Sequence, residues 1–157
     1  MSDPAEFMRE AIRLSRDGMQ SGHGGPFGCI IVKDGVVVGR GNNRVTSTCD
    51  PTAHAEVVAI REACAALKTF SLPGCSLYTS CEPCPMCLAA IYWARIDVIY
   101  YANNRADAAE IGFDDDLIYR EVALAIEHRS KKMKALLRDE ALAVFREWTG
   151  KTDRVPY

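Results

Sequence analysis

Phe7, Met8, Ala11, Ile12 and Leu14, with Ser15, recur at helical spacing, which predicts an amphipathic helix over residues 4–20 ending near Gly18. The period then changes. After a glycine-rich loop at Gly22 to Gly25, Phe27 to Lys33 and Val36 to Gly41 are two β-branched runs joined by Asp34-Gly35, a dipeptide that tolerates positive φ and suits a tight hairpin turn. Asp50-Pro51 resembles an N-cap followed by proline at the first helical position, and His54 to Leu67 has the apolar spacing of a helix. That places His54 and Glu56 in its first turn.

Cys75 to Thr79 reads as a short strand, Glu82-Pro83 opens a helix that runs through Arg95, and Asp97 to Tyr101 reads as a third buried strand. Cys84 and Cys87, three apart, then share a face of that helix. Strand, helix and strand without a hairpin turn imply a right-handed parallel crossover, hence a mixed α/β sheet covered by helices. Ala106 to Ile111 predicts a short helix, Gly112 to Asp116 an acidic loop, and Leu117 to Glu127 a further helix. Lys131 to Leu137 fits either an edge strand or the start of the last helix, which covers Asp139 to Trp148. Gly150 and Pro156 resist helix, so residues 150–157 should form an extended tail.

At 157 residues the chain fits a single domain, 1–157, with enough apolar residues for a full core. The longest apolar run, Phe27 to Val32, falls far short of the ~20 residues of a membrane span. The opening Met1-Ser2-Asp3-Pro4 lacks a basic, apolar export signal, so a cytoplasmic protein without membrane partners is expected. Seven cysteines, two of them in a ligand motif, argue against a secreted disulfide framework. A net charge of −2 and a pI near 5.9 disfavour a surface built to grip nucleic acid. The basic run Arg129, Lys131, Lys132, Lys134 and Arg138 reads as a solvated face.

Two short motifs carry the chemistry: His54-Ala55-Glu56, and Pro83-Cys84-Pro85-Met86-Cys87 about thirty residues later. Structural zinc is closed by four protein ligands, whereas His54, Cys84 and Cys87 leave a fourth position for water. One Zn2+ per chain is the expected cofactor. Two thiolates and one imidazole neutralise the ion's charge, so proton transfer needs help. Glu56, beside the ligands and not among them, can take a proton from the attacking water and hand it to a leaving amine. Helix N-termini favour thiolate there and offer N–H groups to the attacking oxygen. The even spacing of Cys81, Cys84 and Cys87 leaves a closed site with Cys81 as fourth ligand as the alternative, whereas an iron–sulfur cluster would be one clear cysteine short and would leave Glu56 without a task.

H-x-E with P-C-x-x-C resembles the signature of zinc deaminases. The stretches D-P-T-A-H-A-E-V from Asp50 to Val57 and T-S-C-E-P-C-P-M-C-L-A-A-I-Y-W-A-R from Thr79 to Arg95 resemble the cytidine and deoxycytidylate deaminase superfamily. G-G-P-F-G at Gly24 to Gly28, D-A-A-E-I-G-F-D-D at Asp107 to Asp115 and the terminal Tyr157 are similar to its guanine-acting branch. The likeness weakens between about Val122 and Thr152.

That resemblance implies a three-layer α/β/α sandwich on a mixed five-stranded sheet, with residues 131–137 as a strand. It also implies a homodimer and hydrolysis of a small purine base, guanine, to xanthine and ammonia. His54, Cys84 and Cys87 match zinc ligands, Glu56 the proton shuttle, and Cys81 a non-ligand. Phe27 matches the aromatic that stacks on the base, Asn43 the amide that bonds its edge, and Asp115 a carboxylate that accepts from a ring N–H. Ala55 and Trp93 are further expected substrate contacts, although Phe27 and Trp93 could equally be core. The tail 150–157 can cross between subunits, with Tyr157 closing an active site. Rivals are a tRNA adenosine deaminase using the basic run, a cytosine-type deaminase, and a structural zinc module that releases no ammonia.

Overall fold

In the computed structural model, which describes residues 3–157, Asp3 accepts the N–H of Ala5 at 3.0 Å and Pro4 occupies the first turn. Helix α1 (Pro4–Gln20) therefore starts where its cap directs and runs two residues past Gly18. Strands β1 (Gly28–Lys33) and β2 (Val36–Asn42) are antiparallel, and Asp34 (φ 49°) and Gly35 (φ 76°) make the left-handed turn that joins them. Strand β3 (Cys75–Cys81) pairs antiparallel with β1. Helix α4 (Pro85–Trp93) then carries the chain to β4 (Val98–Asn103), parallel to β3, and the sheet order is β2-β1-β3-β4. The mixed sheet and its parallel crossover are as the pattern predicts.

Alternation along the strands divides the core in two. Ile30, Val32 and Tyr78 face α1 and pack on Ala11. Cys29, Ile31 and Leu77 face α3 (Ala55–Leu67) and α4, packing on Ala55, Ala59, Ala63 and Ile91. Ile30, Ile31 and Leu77 are fully buried, each contributing roughly 1.5–3 kcal/mol by leaving water. The unit Met1–Asp116 is thus an α/β/α sandwich. Helix α3 lies unusually close to β2: a Cβ on Gly41 would sit 2.1 Å from the Ala55 carbonyl oxygen, and one on Gly39 2.4 Å from that of Ala59.

Four strands form among the described residues, not the expected five. Residues 132–136 are neither strand nor helix, because the segment pairs with no strand that could satisfy its backbone. Strand β4 is present but is not the buried strand expected from Asp97 to Tyr101. It forms an edge, and Val98, Tyr100 and Tyr101 are exposed. Helix α3 begins later than Pro51: Asp50 accepts both the N–H (2.8 Å) and the hydroxyl (2.6 Å) of Thr52, closing a local turn that leaves His54 as N-cap. Likewise Cys84, not Glu82, caps α4, with Pro85 first inside it. Short helices α2 (Val45–Thr48) and α5 (Arg105–Glu110) complete this unit.

The second unit, Leu117–Tyr157, holds most of α6 (Asp116–Ala123), one 3-10 turn (Ile126–His128) and α7 (Arg138–Gly150). The helix expected to reach Glu127 stops earlier because Arg129 donates to the Leu124 and Val122 carbonyls. Gly150 closes α7 instead of opening the tail. No helix among the described residues is long and apolar enough to cross a membrane.

Candidate metal centre and active site

Sheet topology brings four chain segments to one end. The start of β1 and the ends of β2, β3 and β4 coincide there, since Gly28 pairs with Asn42 and Cys81 with Asn103. Crevices beyond the carboxyl ends of parallel strands are where α/β sheets bind ligands. The N-termini of α3 and α4 provide His54 and Cys84 as their caps, both in extended backbone, and Cys87 lies in the first turn of α4.

His54 Nδ1 is 3.6 Å from Cys84 Sγ and 3.5 Å from Cys87 Sγ, and the three ligand atoms all lie within 4.8 Å of one another. Tetrahedral zinc with Zn–S of about 2.3 Å and Zn–N of about 2.1 Å requires an S···N separation of about 3.6 Å. The three residues therefore fit zinc without rearrangement. Hydrogen bonds from the Cys87 thiol and His54 pull the Cys84 thiol down to about 4, while that shared proton and burial push Cys87 far up. Binding a divalent cation here would require both sulfurs as thiolates. Cys81 stays out of this group: its Sγ donates to the Asn104 carbonyl at 3.8 Å, and burial raises its thiol to about 11. The closed four-ligand site is not assembled among the described residues.

Glu56, in the first turn of α3, is 6% exposed, and burial raises its carboxyl, opposed by its own backbone N–H and the Cys87 thiol. The Thr79 hydroxyl donates to Glu56 Oε1 at 3.1 Å, which holds that oxygen in place. Sequence reasoning missed Thr79. The available signal was a polar pair, Thr79-Ser80, directly after the apolar Leu77-Tyr78; Ser80 Oγ in turn accepts the Gly28 N–H at 3.0 Å.

Asn43 is buried, and its Oδ1 accepts the N–H groups of Gly25 (3.3 Å) and Val45 (3.1 Å), which fixes the orientation of its amide. Its own N–H donates to the Phe27 carbonyl at 3.0 Å. Phe27 is half-buried, and Phe113 meets its ring edge-on, centroids 4.9 Å apart. Nothing in the pattern singled out Phe113 from its acidic loop. Asp115 lines a cavity of about 440 Å3 with Glu82, Asn104, Arg105, Asp114 and Asp116. Burial and then the Cys84 sulfur raise its carboxyl, and its charge in turn reaches His54. Ala55, fully buried, opens α3, where backbone N–H groups have no intrahelical acceptor.

Of the remaining expected substrate contacts, Trp93 lies away from the ligand turn of α4. Trp93 is at the opposite end of α4 from Cys84, about 13 Å along the axis, and is 61% exposed with the Arg95 guanidinium over its ring. It is not core. Tyr157 is exposed at the end of the second unit.

The comparisons with known proteins agree with this centre. Residues 1–103 match the family described as the cytidine and deoxycytidylate deaminase zinc-binding region. The chain is 48% identical to guanine deaminase of Bacillus subtilis over 96% of its own length and 97% of the relative's. A crystal structure of guanine deaminase from Bacillus subtilis superposes with a TM-score of 0.96 at 47% identity, covering 99% of each chain. A tRNA-specific adenosine deaminase of Agrobacterium fabrum is 44% identical over 71% of this chain and 74% of its own. With ligand geometry and sequence in accord, the chain belongs to the cytidine and deoxycytidylate deaminase family of zinc-binding proteins.

Proposed function

We propose that this protein hydrolyses guanine to xanthine and ammonia. The observation that carries the reading is near full-length likeness, 48% identity over 96% of the chain, to a guanine deaminase, where an adenosine-acting relative that covers 87% of the chain is 36% identical. His54, Cys84 and Cys87 would hold zinc, which would supply the Lewis acidity that makes water nucleophilic near neutral pH. Glu56 accepts a proton as water's oxygen bonds to the ring carbon, and delivers it to the amino nitrogen as the C–N bond breaks and ammonia leaves. Burial favours the protonated carboxyl and so suits it to that return step. Phe27 stacks on the base, the Asn43 amide donates to its edge, and the Ala55 N–H meets the oxygen that adds. Asp115 accepts from a ring N–H that guanine has and adenine lacks.

The same reading makes the active form a homodimer, with the 150–157 segment exchanged so that Tyr157 closes the neighbouring site. Supporting it are the edge position of β4 among the described strands and the exposed Tyr92, Val98 and Tyr101. Seven cysteines, none joined in a disulfide among the described residues, fit a reducing cytoplasm. An ammonia assay across guanine, guanosine, adenine and cytosine, with metal analysis, tests the assignment. Guanine should be the best substrate at about one zinc per chain, and Glu56→Ala should keep the zinc and lose turnover. A preference for adenine or cytosine, or an active Glu56→Ala protein, refutes it.

A further inference from the structure

We infer that Glu82 and Arg105 form a clamp that positions Asp115 and its acidic cavity wall relative to the zinc-ligand turn. The inference rests on the guanine reading, in which Asp115 contacts the base. Parallel β3 and β4 end side by side, Cys81 opposite Asn103, so the residues leaving them must part without fraying. Glu82 bridges that gap three ways. Its N–H donates to the Asn103 carbonyl at 2.8 Å, Oε2 accepts the Arg105 N–H at 3.1 Å, and Oε1 lies 3.4 Å from Arg105 Nε. One side chain thus holds both the backbone and the guanidinium of the same residue.

On one side, Glu82 is followed by Pro83, whose ring fixes φ, and then by the ligand Cys84. On the other, Arg105 opens α5, whose first turn is locked by Asn104 and Asp107 capping each other at 3.1 and 2.8 Å. Phe113 donates its N–H to the Ala108 carbonyl at 3.0 Å, tying the Asp114 to Asp116 loop back to α5. The bonded path therefore runs from the ligand turn through Glu82 and Arg105 to the acidic loop. Glu82, Arg105 and Asp115 also line the same cavity, where Arg105 is the sole base facing Glu82, Asp114, Asp115 and Asp116 among the described lining residues. Burial and the Cys84 sulfur push the Asp115 carboxyl up, and the Arg105 charge opposes them. Glu82 and Arg105 are positioning residues, acting through Asp115.

The test uses the zinc-loaded full chain and guanine as substrate. Arg105→Gln should raise KM about fivefold, the upper range for a partly exposed ion pair, with kcat within about twofold and zinc near one per chain. Arg105→Lys should recover part of that loss. In an Asp115→Asn background, Arg105→Gln should change KM less than about twofold, since the residue it positions is already altered. Glu82→Ala should reproduce the Arg105→Gln effect; if it fails to fold, the Arg105 pair carries the test. An unchanged KM in Arg105→Gln, an undiminished effect beside Asp115→Asn, or zinc lost in step with activity each overturns the clamp. A wild-type protein inert toward guanine would remove the underlying reading, whereas an active wild type with an indifferent Arg105→Gln removes the clamp alone.

Discussion

Replacing Gly41 with alanine presses on the start of α3, which carries His54 and Glu56. The added Cβ would stand 2.1 Å from the Ala55 carbonyl oxygen and 2.7 Å from the Ala59 nitrogen, both backbone atoms of α3. Ordinary contact begins near 3.4 Å, so helix and strand must separate by more than about 1 Å. No flexible side chain is available to give way. Overpacking of this kind costs about 1–3 kcal/mol, or roughly 3 to 10 °C in Tm for a chain of this size. The displaced residue, Ala55, sits between His54 and Glu56, so the shift moves a ligand and the proton carrier together. A misplacement of about 1 Å can cost about a hundredfold in rate. Thermal unfolding, zinc content and guanine turnover measure the three consequences. Gly150→Ala, with open space around it, serves as control and should be neutral. A Gly41→Ala protein with wild-type Tm, zinc and kcat would refute the idea that close helix–strand approach sets the site.

Thr79→Val removes the donor to Glu56 at nearly constant volume, and a hydrogen bond to a charged group is worth about 1.5–3 kcal/mol, so kcat should fall about 10- to 100-fold while Thr79→Ser stays active. Unchanged kcat in Thr79→Val would mean the hydroxyl does not hold the shuttle. Maleimide labelling of the native protein should modify exposed Cys49 and spare Cys29, which is fully buried with its thiol raised by burial and by Glu56. Mass mapping that finds Cys29 labelled before unfolding would contradict that core assignment. Deleting residues 151–157 should leave the zinc content intact and abolish guanine turnover; full activity in the shortened protein would end the role given to Tyr157.

The ligand set was readable because each member belongs to a local motif: His54, Cys84 and Cys87 need only a helix start beneath them. The hairpin was equally local, fixed by Asp34-Gly35. What escaped was non-local. Thr79 acquires meaning only when β3 meets α3, and Phe113 only when its loop meets Phe27. The start of α3 slipped by a few residues because Asp50 uses its carboxylate in a turn with Thr52. Trp93 carries the same apolar signal whether it lines a pocket or, as found, ends a helix in solvent. The strand expected at 131–137 came from resemblance, and strand formation depends on a partner that the segment's own residues do not encode.

X-ray absorption at the zinc edge of the metal-loaded protein addresses the coordination sphere itself. Two sulfurs at about 2.3 Å with two nitrogen or oxygen neighbours at about 2.0–2.1 Å, one of them exchangeable solvent, is the predicted result, unchanged in Cys81→Ser. Three sulfurs, with one lost in Cys81→Ser, would mean a closed centre and would contradict the hydrolytic account.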